Sequence, residues 1–331
     1  MFWRLKYSPE AVDTRALTRS FGWSQADSFI QNDVQEFAHI LLDNLEQKMD
    51  KSESTKGTIK KLFEGVFQNC IECVNVKYSS TRSEAFMDLQ LNVRGCKNLI
   101  ESFDQYCAIE MLDGNNQYST EDYGMQDARK GIKFESLPPV LLILLKRFQF
   151  DVTTGQMCKV NDRLEYPVNL NLSKYCTNPT SSQEYALFSV LVHNGGVSGG
   201  HYWAYIRPSY EDKIWFKFDD EKVFRVSENE AIYENFGGEA PSGKLFKKQV
   251  KRNEGEGKEE EEDIRPEKHY SAYYLVYIKK SEINEVLKKI DDREIPDHVS
   301  KFYGDELKEE EDAWEENGKR FYNFLKRSSK I

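Results

Sequence analysis

The chain has 331 residues, of which 39% are hydrophobic, 13% aromatic and 31% charged, enough for a sizeable core beneath a well-solvated surface. A formal net charge of -10 argues against a nucleic-acid groove and suits a partner that offers basic groups. The longest apolar stretch, LPPVLLILL at 137–145, is broken by two prolines and is too short to span a membrane, and the start MFWRLKYSPE lacks a signal-peptide layout.

Residues 1–31 read as one or two helices, with DTRALTRSFGW ending at Gly22. QNDVQEFAHILLDNLEQKM then sets Val34, Phe37, Leu41 and Leu45 on one stripe, with Ala38 and Leu42 beside it, which predicts an amphipathic helix of about four turns. DKSESTKGT (50–58) is a polar break. From 62 to about 95 the texture turns to Phe, Val, Ile and Thr, with alternation in FMDLQLNV, and reads as antiparallel strands. NLIESFDQYCAIEMLDG returns to helical periodicity, and LDGNNQY reads as a turn. PPVLLILLKRFQFD is a buried strand and VTTGQM a turn; YALFSVLVHNG, HYWAYIRP, IWFKFDD and SAYYLVYIKK are four more strands. KRNEGEGKEEEEDIRPE (251–267) is a charged, low-complexity insertion expected to be disordered, and the tail from 281 reads as helical and highly charged. The class is α+β, helices first and then a long run of antiparallel sheet. Six scattered cysteines make no disulfide framework, so a reducing compartment, cytosol or nucleus, is expected.

Chemistry concentrates in HYWAYIRP and IWFKFDD. If they form a hairpin turning near Tyr210 and Glu211, facing residues share an index sum of about 421, and His201 meets Asp219 or Asp220. A carboxylate there fixes the imidazole tautomer and stabilises an imidazolium, the orienting role in a nucleophile–base–acid triad. The bland alternative is a cross-strand polar pair that only stabilises the hairpin. NGGVSGG (194–200) weighs against it, since four glycines in seven residues make a loop that can move and lets a substrate backbone approach.

Taken in order, LPPVLLILLKRF, GGHYWAYI, WFKFDD and AYYLVYI resemble the C-terminal boxes of the ubiquitin-specific proteases, and NDVQEFAHILLDNLEQKM resembles the helix after their nucleophile. The likeness covers about residues 15–300. It implies a papain-like cysteine peptidase fold of the α+β class, with an incomplete thumb, fingers and palm. It also implies cleavage of the bond after the C-terminal glycine of ubiquitin. On that likeness His201 is the general base, Asp219 the third triad member and Asp220 an auxiliary polar residue. Tyr202, Gly199 and Gly200 would line the channel for ubiquitin's Gly-Gly end, and Asp33 and Glu36 would hold its basic tail. Asp33 with Glu36 three residues on is equally a helix capping box, and both roles can coexist. The implied regions are 1–55 (remaining thumb helices), 56–135 (fingers and connecting helix), 136–280 (palm) and 281–331 (charged helical extension).

One departure from the family stands out. No cysteine precedes Asp33, so the family's nucleophile box, and the asparagine of its oxyanion hole, have no counterpart here. Cys70, Cys73, Cys96, Cys107, Cys158 and Cys176 occupy strand, turn or helix contexts that do not activate a thiol. Cys70 and Cys73 form half of a four-ligand zinc site whose second pair is missing after Tyr118, so neither a metal nor a cofactor is expected. Two readings follow: a protease whose nucleophile segment lies outside this chain, or a non-catalytic ubiquitin-binding module of the same fold. The expected partners are ubiquitin and ubiquitinated proteins, with no nucleic acid and no membrane, and the oligomeric state is left open.

Overall fold

The computed structural model describes residues 2–8, 12–20, 33–179, 182–239, 246–250, 260–264 and 266–309, with 312 and 316. Two compact units emerge, one of Met1–Ile30 with Lys288–Ile331 and the other of Gln31–Leu287. Gly22 and most of the acidic insertion lie outside the described residues.

The first unit holds α1 (Phe2–Tyr7), α2 (Arg15–Ser20) and a helical run at 297–309. Lys6 and the Tyr7 hydroxyl both donate to the Asp292 carboxylate, and Trp3 stacks on Tyr303 at 5.7 Å between ring centres.

The second unit begins with α3 (Val34–Met49), capped by Asp33, whose carboxylate accepts from the Gln35 backbone N–H. Leu42 is buried and Val34 and Met49 pack beside it, whereas Leu45 of the expected stripe is 37% exposed. Next come α4 (Thr58–Phe63), β1 (Gly65–Cys73), β2 (Ser79–Phe86), β3 (Asp88–Asn92), α5 (Leu99–Tyr106), β4 (Glu110–Leu112), β5 (Tyr118–Thr120), β6 (Gly124–Gln126) and β7 (Ala128–Ser136). Strands β2-β1-β7-β4, in that order, make a four-stranded antiparallel sheet. The expected long helix from 98 stops at Tyr106. Its second half becomes β4 because Glu110 pairs with Lys130 across the sheet, and opposite charges in register favour that pairing.

The remaining elements are β8 (Val140–Lys146), β9 (Phe148–Asp151), β10 (Gln156–Lys159), β11 (Asn169–Asn171), β12 (Glu184–Gly196), β13 (Gly199–Ile206), β14 (Trp215–Asp219), β15 (Lys222–Val226), α6 (Glu228–Ala231), β16 (Phe246–Val250), β17 (Glu260–Ile264), β18 (Tyr270–Lys279) and α7 (Ile283–Val286). The main sheet runs β15-β14-β13-β12-β18-β8-β3, with β11 on β12. β8 lies between antiparallel β18 and parallel β3. Both its faces are covered, which explains its unbroken apolar run. Leu141, Ile143 and Leu145 enter the large core with Phe134 and Trp215, while Val140, Leu142 and Leu144 join Leu42 of α3 and Ile59 of α4. Each such side chain contributes about 1.5–3 kcal/mol through burial. Part of the stretch expected to be disordered, residues 260–264, instead pairs as β17 with β16 in the register Phe246–Ile264.

Next to β8, Arg147 is fully buried, and its guanidinium donates to the carbonyls of Ala272, Val160, Asp162 and Phe236. Burial pulls its pKa down to about 10, which leaves it charged at neutral pH.

Candidate functional site

His201 is the third residue of β13, opposite Asn194 of β12; Gly200 faces Gly195 and Gly199 faces Gly196. The glycine stretch is therefore a tight hairpin around Val197 and Ser198, not the open loop expected. Its glycines serve close packing. A Cβ on Gly200 would lie 2.2 Å from the Asn194 carbonyl oxygen and 2.3 Å from His193 Nε2, and Gly195 holds a φ of +123° that disfavours a side chain. From β10, the Lys159 ammonium donates to the carbonyls of His193, Gly195 and His269 at 2.9–3.0 Å and secures the base of this hairpin.

Strands β13 and β14 pair with an index sum of 422, one step from the expected register, and their ladder stops at Ala204–Phe218. Beyond that point the strands splay, and His201 reaches Asp219 on the diagonal, with 2.7 Å between Nε2 and Oδ1. A carboxylate can only accept, so the imidazole donates through Nε2 and the Nδ1 lone pair is left to take up a proton. Asp220 does a different job in the backbone. At φ +53° it starts the two-residue turn that closes Asp219 onto Lys222, a position where aspartate is tolerated and most side chains are not. One donor atom from each of His201, Asp219 and Asp220 lies within 4.8 Å of the others. Hydrogen bonding and an ion pair already hold His201 and Asp219 in this group. The second oxygen of Asp219 is 2.7 Å from Lys217 Nζ, and this ammonium, followed by the hydrogen bond to His201, holds the Asp219 carboxyl below the usual carboxylate range. Sequence reasoning missed Lys217, though a period-two reading of IWFKFDD places it on the same strand face as Asp219.

The other predicted residues gather on the opposite face of β13. Tyr202 packs with His193 and Tyr273 in the cluster beneath α3, with ring centres 4.7 and 6.0 Å away, while Trp203 packs on the large core. Burial, and then the charge of Asp33, push the Tyr202 hydroxyl up to about 12. The Tyr273 hydroxyl donates to Asp33, so the cap and this bond engage both carboxylate oxygens. Glu36 is exposed one turn on. Together with Asp33, Gln35, His39, Asp43 and Gln90 it lines an open groove of about 390 Å³. Two of these side chains are held by Asp88 of β3, which accepts from the Gln35 amide and meets His39 Nε2 at 3.1 Å. Gln35 and His39 share a helix face, but no sequence signal ties them to a strand some fifty positions away.

Among the described residues, no cysteine is hydrogen-bonded to His201, whose ring pairs with Asp219. Burial pushes Cys107 up to about 12 and raises Cys176, the reverse of activation. Cys73 sits in a small core with Leu112 and Ala128, and Cys96 is buried against Gln105. Cys158 on β10 lies 3.7 Å from the Arg94 guanidinium, and Cys70 is half-buried in β1.

Residues 1–277 match the family model described as ubiquitin carboxyl-terminal hydrolase. The chain is 42% identical over 320 residues to ubiquitin C-terminal hydrolase 12 of Arabidopsis thaliana, covering 94% of this chain and 28% of the relative. It is 42% identical over 323 residues to ubiquitin carboxyl-terminal hydrolase 15 of Saccharomyces cerevisiae, covering 94% and 25%. With ubiquitin carboxyl-terminal hydrolase 7 of Drosophila melanogaster it shares 43% identity over 296 residues, 89% of this chain and 24% of the relative. This chain thus spans about a quarter of the length of the curated relatives it matches. Among solved structures, the SAGA DUB module bound to monoubiquitin aligns with a TM-score of 0.62 and 26% identity, covering 80% of this chain and 52% of that one.

Proposed function

Because the chain belongs to the ubiquitin carboxyl-terminal hydrolase family, we propose that it is part of a ubiquitin-specific thiol protease, which hydrolyses the bond after the C-terminal glycine of ubiquitin. The observation that carries this reading is the 2.7 Å bond between His201 and Asp219 at the mouth of a glycine hairpin. In the proposed reaction His201 Nδ1 takes the proton of a cysteine thiol. The sulfur then bonds to the carbonyl carbon, the C–N bond breaks, and the imidazolium returns its proton to the leaving amine. Water, activated by the same ring, hydrolyses the thioester. Asp219 keeps the tautomer and steadies the imidazolium throughout. Asp220 is the auxiliary polar residue, adjoining the dyad through the turn it makes.

Ubiquitin's tail is proposed to enter the α3 groove, where Glu36 and Asp33 receive its basic residues and Tyr202, Gly199 and Gly200 line the approach to His201. The nucleophile is proposed to be a cysteine other than the six in this sequence, none of which is bonded to His201 or lies in the family's nucleophile box ahead of Asp33. The boxes GTIKKLFEG, EMLDGNNQY and VNDRLEYP favour the herpesvirus-associated branch of the family, and six thiols suit the cytosol or nucleus.

Purified 1–331 should bind ubiquitin measurably by calorimetry while turning over a ubiquitin C-terminal fluorogenic amide negligibly. Glu36→Gln should weaken binding several-fold, with Asp33→Asn acting likewise. No detectable binding would sink the ubiquitin reading. Robust turnover abolished by His201→Ala would instead show that one of the six cysteines is the nucleophile.

A further inference from the structure

The His201–Asp219 bond has a third participant. Lys217 sits two residues before Asp219 on β14, and its Nζ is 2.7 Å from Asp219 Oδ2, while Oδ1 faces His201 Nε2 at the same distance. The ammonium also lies 4.6 Å above the centre of the Trp203 ring, and that ring is 6.0 Å from the imidazole. Lys217, Asp219, His201 and Trp203 thus form one four-membered patch on a single face of the β13–β14 pair. The Lys217 side chain is only 21% exposed and Asp219 26%, so both are partly withdrawn from solvent and hold each other more firmly than a free surface pair.

We propose that Lys217 is a positioning residue of the dyad: it anchors Oδ2 so that Oδ1 stays on the imidazole, and it draws off part of the carboxylate charge that would otherwise retain a proton on that ring. Among the described residues, the charged groups beside His201 are Asp219, with its partner Lys217, from β14 and Asp220 from the turn; Asn194, opposite on β12, is uncharged. A carboxylate shared between two cations stabilises each less than it would one alone. Lys217 therefore opposes the accumulation of imidazolium, which a general base must avoid before it accepts the nucleophile's proton.

This inference rests on the proposed role of His201 as a base, but its test needs neither ubiquitin nor a nucleophile. NMR titration of the His201 ring in the full chain is read for wild type, Lys217→Met, Lys217→Arg, Asp219→Asn and the Lys217→Met/Asp219→Asn double variant. Methionine keeps an apolar stem against Trp203 and removes the ammonium, with both its charge and its hydrogen bond to Asp219. In Lys217→Met the midpoint should rise by about half a unit or more. Lys217→Arg, which restores a cation over the ring, should return it to the wild-type value. In the Asp219→Asn background, Lys217→Met should lose most of its effect. A Lys217→Met midpoint within about 0.2 unit of wild type, or below it, overturns the proposal. So does a rise that persists undiminished without the Asp219 charge, since Lys217 would then act on the ring directly. Unchanged thermal midpoints verify that each variant is folded. If ubiquitin binding fails but this coupling holds, the functional reading falls and the positioning role stands.

Discussion

His193, eight residues before the candidate base, shows how little a residue type says without its surroundings. It is 3% exposed, ringed by Phe148, Tyr202 and Tyr273, and its Nδ1 is buried without a partner. Burial, followed by the charge of Lys159, lowers its pKa from 6.5 to about 4. Between those values the unfolded chain binds a proton that the folded chain refuses, so stability falls as pH falls through this window and is unaffected above it. Urea unfolding should show a loss of about 2 kcal/mol between pH 7 and pH 4.5 that His193→Gln, which cannot titrate, does not share. Equal acid sensitivity in the two proteins would assign that loss to other groups. At this scale the sequence was half legible. The histidine–aspartate pairing could be read from hairpin arithmetic, but the choice between Asp219 and Asp220 could not, because it depends on where the ladder ends and the strands splay. Lys217 was legible in principle through strand alternation. The bond from Tyr273 to Asp33 joins residues 240 positions apart, and no local pattern encodes it.

Elements were legible where one physical cause dominates. The continuous run in β8 announced a strand covered on both faces, and the α3 periodicity announced its helix. What the sequence did not reveal is that the glycines before His201 also serve close packing. They are the condition for two backbones and the His193 ring to pack within a few ångströms. Gly200→Ala should cost roughly 1–3 kcal/mol in urea unfolding through overpacking. It should also displace His201, visible as a shift of its ring resonances. A stable Gly200→Ala protein with an unmoved His201 would restore the open-loop reading. Helical periodicity misled beyond Tyr106, where β4 exists because β7 offers it a pairing edge; a cross-strand partner overrides a weak local preference.

For the molecule as a whole, the class and the main strands along the chain could be read, but their order in the sheet, and the parallel placement of β3 beside β8, could not, since nothing in either strand marks the other. The net charge of -10 acts at this scale, and the α3 groove adds local acidity to it. On the proposed reading, association with ubiquitin's basic tail should therefore slow as salt rises from about 0.05 to 0.5 M, while dissociation changes less, because steering is screened over roughly a Debye length. Stopped-flow rates that do not respond to salt would remove electrostatics from the recognition and leave shape alone.

The contacts of Lys159 carry a consequence of simple counting. An ammonium has three hydrogens, and here three carbonyls wait for them, one each from His193, Gly195 and His269. Burial, together with the charge of Arg147, brings this lysine's pKa down to about 8. Above that value the nitrogen keeps two hydrogens for the same three oxygens, and one carbonyl must do without. Shedding the proton relieves the cost of a buried charge but breaks the one-to-one match. The hairpin that presents His201 thus has an alkaline limit to its order, set by a side chain on a neighbouring strand that takes no part in the proposed chemistry.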